Sequence, residues 1–299
     1  MMKKLEGLFA PVVTTFRADD GELDLAAFAS NVRGHLEAGL HGVLVTGSTG
    51  EAALLDAAER SALVAAARES TPADKWLLVG TGAESTRTCL AQTKDAARRG
   101  ADAVLVVAPH YYANAMTEEA LRLHYGRIAD ESPVPVILYS IPKYMHFSLP
   151  ETLVAELAEH ENVIGIKDSS GNKELLAGFM KAKSESFSVL VGNAQIFHHA
   201  LMTGATGGIL AAGMIAPALA LEIYDAHRRG DMAAADAAQA KLHPIGARIV
   251  GELGVPGVKA ALDRVGLSGG PLRLPLIPIS ETQLAAVDEL LRAELVAAG

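Results

Sequence analysis

Cysteine is almost missing: Cys89 is the only one in 299 residues. A single thiol excludes an intrachain disulfide framework and fits a reducing cytoplasm. Aromatic residues make up 5% of a chain that is 50% hydrophobic, so its core has to be assembled mainly from Ala, Val, Leu and Ile. Such a core suits helices packed closely on a parallel sheet. Charges of both signs are scattered with a formal sum of −9 and form no basic stripe, which argues against nucleic-acid binding. Long apolar runs are missing too. The weakly polar stretch from Gly207 to Leu221 contains Gly213 and Pro217 and is too short to span a bilayer. Lys3 and Lys4 imitate the start of a signal peptide, but Glu6 and Pro11 interrupt the apolar segment behind them. The expectation is a soluble cytoplasmic protein that does not associate with membranes.

What is present is an alternation. Short apolar runs of strand type occur at Leu8–Thr14, Gly42–Gly47, Trp76–Thr81, Ala103–Ala108, Val134–Ile141, Val163–Lys167, Ser188–Gly192 and Gly207–Ala212. Amphipathic stretches with helix-start signals lie between them. Asp56 with Glu59 and Ser148 with Glu151 have capping-box spacing, with Pro150 near the first helical position. Asp24, Ser85 and Thr117 are further N-cap candidates, and Gly39 and Gly100 suit helix C-termini. Near-continuous apolar strands imply a sheet buried on both faces, hence parallel with helical crossovers. Eight such units fit a (β/α)8 TIM barrel over residues 1–230 better than an open doubly wound sheet, which the period alone leaves open. No linker rich in Ser, Pro or Gly divides the units. After Arg229 the alternation stops. Residues 231–299 read as a C-terminal helical extension packed on the barrel: Asp231–Leu253 with a candidate break at His243-Pro244, then Pro256–Val265, then Ser280–Leu295.

Barrel active sites lie where the C-terminal ends of the strands meet, so the residues ending each run carry the functional reading. Val163 to Gly171 reads V-I-G-I-K-D-S-S-G. Lys167 closes the strand with its stem in an apolar wall, where desolvation favours the neutral amine that a Schiff-base nucleophile needs. Gly165, on the same strand face, is expected to leave room beside that side chain. Asp168, Ser169 and Ser170 read as a turn and N-cap for the next helix. On these residues alone, a lysine marking the strand's emergence into water accounts for the stretch at least as well. The second run ends in G-S-T-G-E, Gly47 to Glu51, whose hydroxyls and backbone N–H groups can surround a carboxylate or simply form a tight turn. The fourth ends in P-H-Y-Y, Pro109 to Tyr112, and the fifth in Y-S-I-P, where Tyr139 alone reads equally as core lining. His198 and His199 are adjacent and point apart on a helix, with no second ligand pair at metal spacing. A pyridoxal phosphate site would want a lysine and the glycines Gly204, Gly207 and Gly208, but no partner for a pyridinium is identifiable.

Taken together, G-S-T-G-E after run two, Y-x-x-P after run five and G-I-K-D after run six resemble the dihydrodipicolinate synthase / N-acetylneuraminate lyase family. The likeness runs from A-P-V-V-T-T-F at Ala10 to G-G-P-L-R-L-P-L at Gly269. It implies a class I, pyruvate-type Schiff-base lyase or aldolase on a (β/α)8 barrel, without metal or organic cofactor, acting on small keto acids and aldehydes as a homodimer or homotetramer. By the resemblance Lys167 is the Schiff-base lysine and Tyr139 the proton-relay phenol. Ser48 and Thr49, following Gly47, match the hydroxyl pair that binds the keto acid's carboxylate and links to the relay. Tyr111, with Tyr112 as second candidate, matches a third relay tyrosine that often reaches in from a neighbouring subunit. Ile209 presents its backbone carbonyl to the substrate. Dihydrodipicolinate synthases carry an arginine five residues after the strand-five tyrosine, and here that position is Tyr144, with Lys143 before it and Ser140 in place of the usual asparagine. Y-S-I-P and P-H-Y-Y-A-N-A-M resemble more closely the 4-hydroxy-2-oxoglutarate aldolase branch. The sequence reading is therefore a lyase of the 4-hydroxy-2-oxoglutarate or 2-keto-3-deoxy sugar acid type. Its alternatives are a true synthase or a keto-acid-binding regulatory protein without turnover.

Overall fold

The computed structural model describes residues 4–295, so Lys3 of the N-terminal basic pair lies outside the described residues. Eight strands follow one another in sequence: β1 (Gly7–Pro11), β2 (Gly42–Val45), β3 (Trp76–Gly80), β4 (Ala103–Val107), β5 (Val136–Ser140), β6 (Val163–Asp168), β7 (Ser188–Val191) and β8 (Gly207–Ile209). Each pairs in parallel with its neighbours, and β8 returns to β1, closing the barrel. The open-sheet alternative is thereby excluded. Closure needs the glycine at the last seam, because a Cβ on Gly207 would lie 1.9 Å from the Gly7 carbonyl oxygen. All eight strands run through buried positions, Val107 at the end of β4 being the half-buried exception. That double burial is why they appear in the sequence as unbroken apolar runs.

Helices on the outside begin where local chemistry places them. Asp24, Ser85 and Thr117 each accept the N–H three residues on. Asp56 and Glu59 form the reciprocal pair of hydrogen bonds expected of a capping box. Two expectations are corrected. Ser148 does not cap its helix, which starts at Glu151 directly after Pro150 with no side-chain cap. The helix after β6 is capped by Asn172, through Leu175 N–H at 2.9 Å. Asp168 instead ends the strand and accepts the Ser170 N–H and hydroxyl, folding 168–170 into a side-chain-stabilised turn. The eighth strand is shorter than its apolar run because Ala211–Ile215 is helical.

Beyond the helix Pro217–Arg229, the chain forms the helix Met232–Pro244, which does not break at Pro244. It widens into π-helical winding over Ile245–Glu252, a register that accommodates a residue unable to donate to the preceding turn. The helices Gly254–Arg264 and Glu281–Leu295 follow. Among the described residues no helix is long and apolar enough to cross a membrane.

Candidate active site

Lys167 on β6 pairs in register with Tyr139 on β5 and Leu190 on β7. Residues in register on adjacent parallel strands share a sheet face, so Lys167 and Tyr139 project side by side into the C-terminal end of the barrel. The amine stands over the phenol ring, 4.3 Å from its centroid. Both side chains are almost wholly buried, Lys167 at 5% and Tyr139 at 4% exposure. Burial lowers the Lys167 ammonium to a pKa of about 7, since a charge loses its hydration there. Burial also pushes the Tyr139 phenol up to about 12, against hydrogen bonds from Ser169 and Ser48 that favour its ionised form. The Ser169 hydroxyl lies 3.5 Å from the phenol oxygen.

The space beside the lysine is made by a different glycine from the one expected. A Cβ on Gly165 would strike the Ser188 carbonyl at 2.5 Å, so that glycine admits the neighbouring strand, not the lysine. Gly192, directly after β7, does the other job: a Cβ there would lie 2.8 Å from Lys167 Cε and 1.9 Å from the Ser169 hydroxyl. A strand's two-residue period identifies same-face neighbours along one chain, not the residue facing across from the next strand.

The amine opens onto a cavity of about 130 Å³. Ser48, Thr49, Tyr139, Tyr144 and Ile209 line it with Lys167, so most of the residues singled out from the sequence converge. Gly47 lines an adjoining cavity of about 900 Å³ at the barrel mouth, which shares Ser48, Tyr139, Ile141, Lys143 and Tyr144 with the inner one. Of the hydroxyl pair, it is Ser48 that acts on the Tyr139 phenol, favouring its ionised form. The turn that carries the hydroxyl pair is flanked by Thr46 and Glu51, both at positive φ (52° and 55°). Non-glycine residues hold such backbone only when their surroundings over-determine it, and such positions cluster at functional sites.

Tyr144, in the short helix Pro142–Met145, is 39% exposed at the mouth, and burial of its inner part raises its phenol pKa. Lys143 also lines both cavities, with its ammonium donating to the Gly251 carbonyl at 2.8 Å. Tyr111 and Tyr112 are not brought into this chain's own cavity. They stand on the surface at 77% and 70% exposure, packed edge to face with centroids 5.0 Å apart. Glu84 fixes their loop by accepting the N–H groups of His110 and Tyr111.

Several lining residues escape sequence reasoning. Asn193 and Gln195 follow β7, where the Gly-Asn pair at a strand end was the available signal. Gly246 and Val250 come from the π-helical segment of the extension, and no local pattern announces them. The His198 ring is bound to the Asp236 carboxylate at 2.7 Å and does not line the lysine cavity. Among the described residues no three His, Cys, Asp or Glu side chains gather as metal ligands would.

A buried, neutral-leaning lysine beside a buried tyrosine and a hydroxyl-bearing turn also fits what the chain is similar to. It is 37% identical over 286 residues to a 4-hydroxy-tetrahydrodipicolinate synthase of Xanthomonas axonopodis pv. citri, covering 96% of this chain and 93% of that one. Its fold superposes on the dihydrodipicolinate synthase DapA-2 of Bacillus anthracis with a TM-score of 0.93 at 27% identity, over 98% and 99% of the two chains. It also matches YagE, a prophage protein of the same family from E. coli K12 solved with pyruvate, at TM-score 0.91 and 29% identity over 97% and 99%. Residues 4–294 match the family described as the dihydrodipicolinate synthetase family, and with sequence, barrel and whole-length coverage in agreement, the chain belongs to it: a family of Schiff-base lyases and synthases.

Proposed function

We propose that Lys167 forms a Schiff base with pyruvate or a longer 2-keto acid, and that the enzyme joins the resulting enamine to, or releases it from, an aldehyde. The observation that carries this reading is the burial of the Lys167 amine over the Tyr139 ring, at the end of the barrel where chemistry occurs. The neutral amine attacks the ketone carbon, and Tyr139 delivers a proton to the oxygen that leaves as water. The iminium draws electrons from the adjacent carbon, which gives its proton to the Tyr139 phenolate and becomes the enamine. That carbon adds to the aldehyde, whose oxygen takes a proton from Tyr139, and hydrolysis of the iminium returns the amine. Read backwards, the same steps cleave the carbon–carbon bond. Ser48 and Thr49 hold the keto acid's carboxylate, and the Ile209 carbonyl faces the substrate. Tyr111 and Tyr112, exposed on this chain, suit a role at the mouth of a neighbouring copy in a homo-oligomer.

The pH dependence of trapping tests the amine directly. Only the neutral form attacks, and burial places its pKa at about 7. The initial rate of pyruvate adduct formation therefore rises as pH passes upward through 7 and levels above it. A midpoint close to the ordinary lysine range would mean that Lys167 is hydrated and unactivated.

For the aldehyde, the wall beyond Lys167 presents the uncharged Tyr144, Asn193, Gln195, Gly246 and Val250 and, as its one further cation, Lys143, whose ammonium is drawn to the Gly251 carbonyl. An uncharged aldehyde, as released from a 2-keto-3-deoxy sugar acid, suits this wall better than glyoxylate or aspartate semialdehyde. The synthase reading has its own support in the names of the curated relatives. Rates of pyruvate condensation with glyceraldehyde and with aspartate semialdehyde separate the two. Glyceraldehyde should be preferred, and Tyr144→Arg should raise the semialdehyde rate about tenfold, the worth of exchanging a neutral for a charge-assisted hydrogen bond. Efficient synthase activity that survives Tyr144→Phe and is lost in Lys143→Ala would establish the synthase instead.

A further inference from the structure

The G-S-T-G-E turn and the C-terminal extension meet at a buried ion pair that the steps above do not use. The Glu51 and Lys259 side chains are 0% and 2% exposed, and the ammonium lies 2.6 Å from Oε1. Lys259 belongs to the helix Gly254–Arg264. Its other two protons go to the carbonyls of Thr14, at 2.8 Å, and Pro271, at 2.7 Å. The second Glu51 oxygen accepts the Arg273 N–H at 3.1 Å. Thr14 in turn donates its hydroxyl to the Gly50 carbonyl at 2.6 Å. The last two residues of the turn are thus held from the exit of β1, from the extension's helix and from the 271–273 connection. Ser48 and Thr49, three and two residues before Glu51, face the lysine cavity.

Stability is a poor explanation for such a pair. Desolvating two charges offsets much of their attraction, and apolar residues of equal volume often serve as well. What the pair adds is a single arrangement: three carbonyl or carboxylate acceptors at fixed positions around one ammonium, and a carboxylate bridging that ammonium to a backbone N–H. We propose that Glu51 and Lys259 are positioning residues, which set the Ser48 and Thr49 hydroxyls at the distance from Lys167 that a 2-keto acid's carboxylate requires. The extension then forms part of the keto-acid site from outside it, without touching substrate at Lys259. The proposal rests on the Schiff-base reading above.

Three variants test it: Glu51→Gln, Lys259→Met and the two combined. Glu51→Gln keeps the side chain's shape and an acceptor for the Arg273 N–H, and the double variant leaves no unpaired ion buried. Folding is checked by thermal melting. In each folded variant, the pyruvate concentration giving half-maximal borohydride trapping at Lys167 should rise about 10- to 100-fold, the scale of a ~1 Å misplacement. Saturating pyruvate should still label Lys167 fully, and the KM for the aldehyde should not move. A parent protein that fails to trap pyruvate removes the Schiff-base reading and this proposal with it. A parent that traps, alongside a folded variant with unchanged pyruvate half-saturation, assigns the pair to stability alone and overturns the positioning role. Failure of all three variants to fold does the same.

Discussion

Incubation with pyruvate and borohydride should leave a single reduced adduct, on Lys167, and Lys167→Ala should abolish both the adduct and turnover. The expected loss is roughly 10⁴-fold or more, the scale on which removal of an enzyme's nucleophile acts. Two other lysines near the site serve as internal controls. Lys259 places its three protons on Thr14, Glu51 and Pro271, and Lys143 donates to the Gly251 carbonyl, so both amines are held by other partners. Peptide mass mapping distinguishes the three. An adduct on Lys143 or Lys259 that persists in Lys167→Ala would overturn the assignment of the nucleophile.

The second large effect belongs to Tyr139. Phenylalanine keeps a ring that is 4% exposed and preserves the packing under the lysine, so the melting temperature should change little. It removes the hydroxyl to which Ser169 and Ser48 are linked, and with it the donor for the departing oxygen. Turnover should fall by about 10²–10⁴-fold, the usual worth of a positioned general acid. Adduct trapping at Lys167 should persist, more slowly, since the amine itself is intact. Near-full turnover in Tyr139→Phe would return the residue to the role of core lining.

The barrel was legible because its cause is local. Each strand is buried on both faces and so declares itself as an apolar run, and Asp24, Asp56, Ser85 and Thr117 fall where capping chemistry puts them. Lys167, Tyr139, Ser48 and Thr49 stand at strand ends, where barrel sites are built, but it was the family resemblance that joined them into one site and added Ile209. What stayed hidden depends on contacts across the fold. Gly192 makes room for Lys167 from another strand, and nothing in its own neighbourhood says so. Glu51 and Lys259 lie 208 positions apart, and within its own motif Glu51 looks like the end of a turn. The π-helical segment escaped for a related reason: Pro244 signals a break locally, and only the packed helix shows the winding widening instead. Tyr111 was legible as a candidate, yet the chain's own cavity does not receive it.

On the proposed function, the lysine's reactivity and the choice of aldehyde are lodged in separate parts of the molecule. Desolvation lowers the amine, and that desolvation comes from barrel residues on β5, β6 and the exit of β7, packed too tightly to vary one at a time. The wall proposed to receive the aldehyde draws on the helix Pro142–Met145 and on the π-helical segment, which the Lys143–Gly251 contact clips together at the rim. Rim residues can therefore be exchanged as a cassette without resetting the nucleophile. A lineage of such barrels can change what it cleaves while its reactive amine stays the same, and an engineer wanting new aldehydes would randomise Tyr144, Gly246 and Val250 and leave the barrel interior alone.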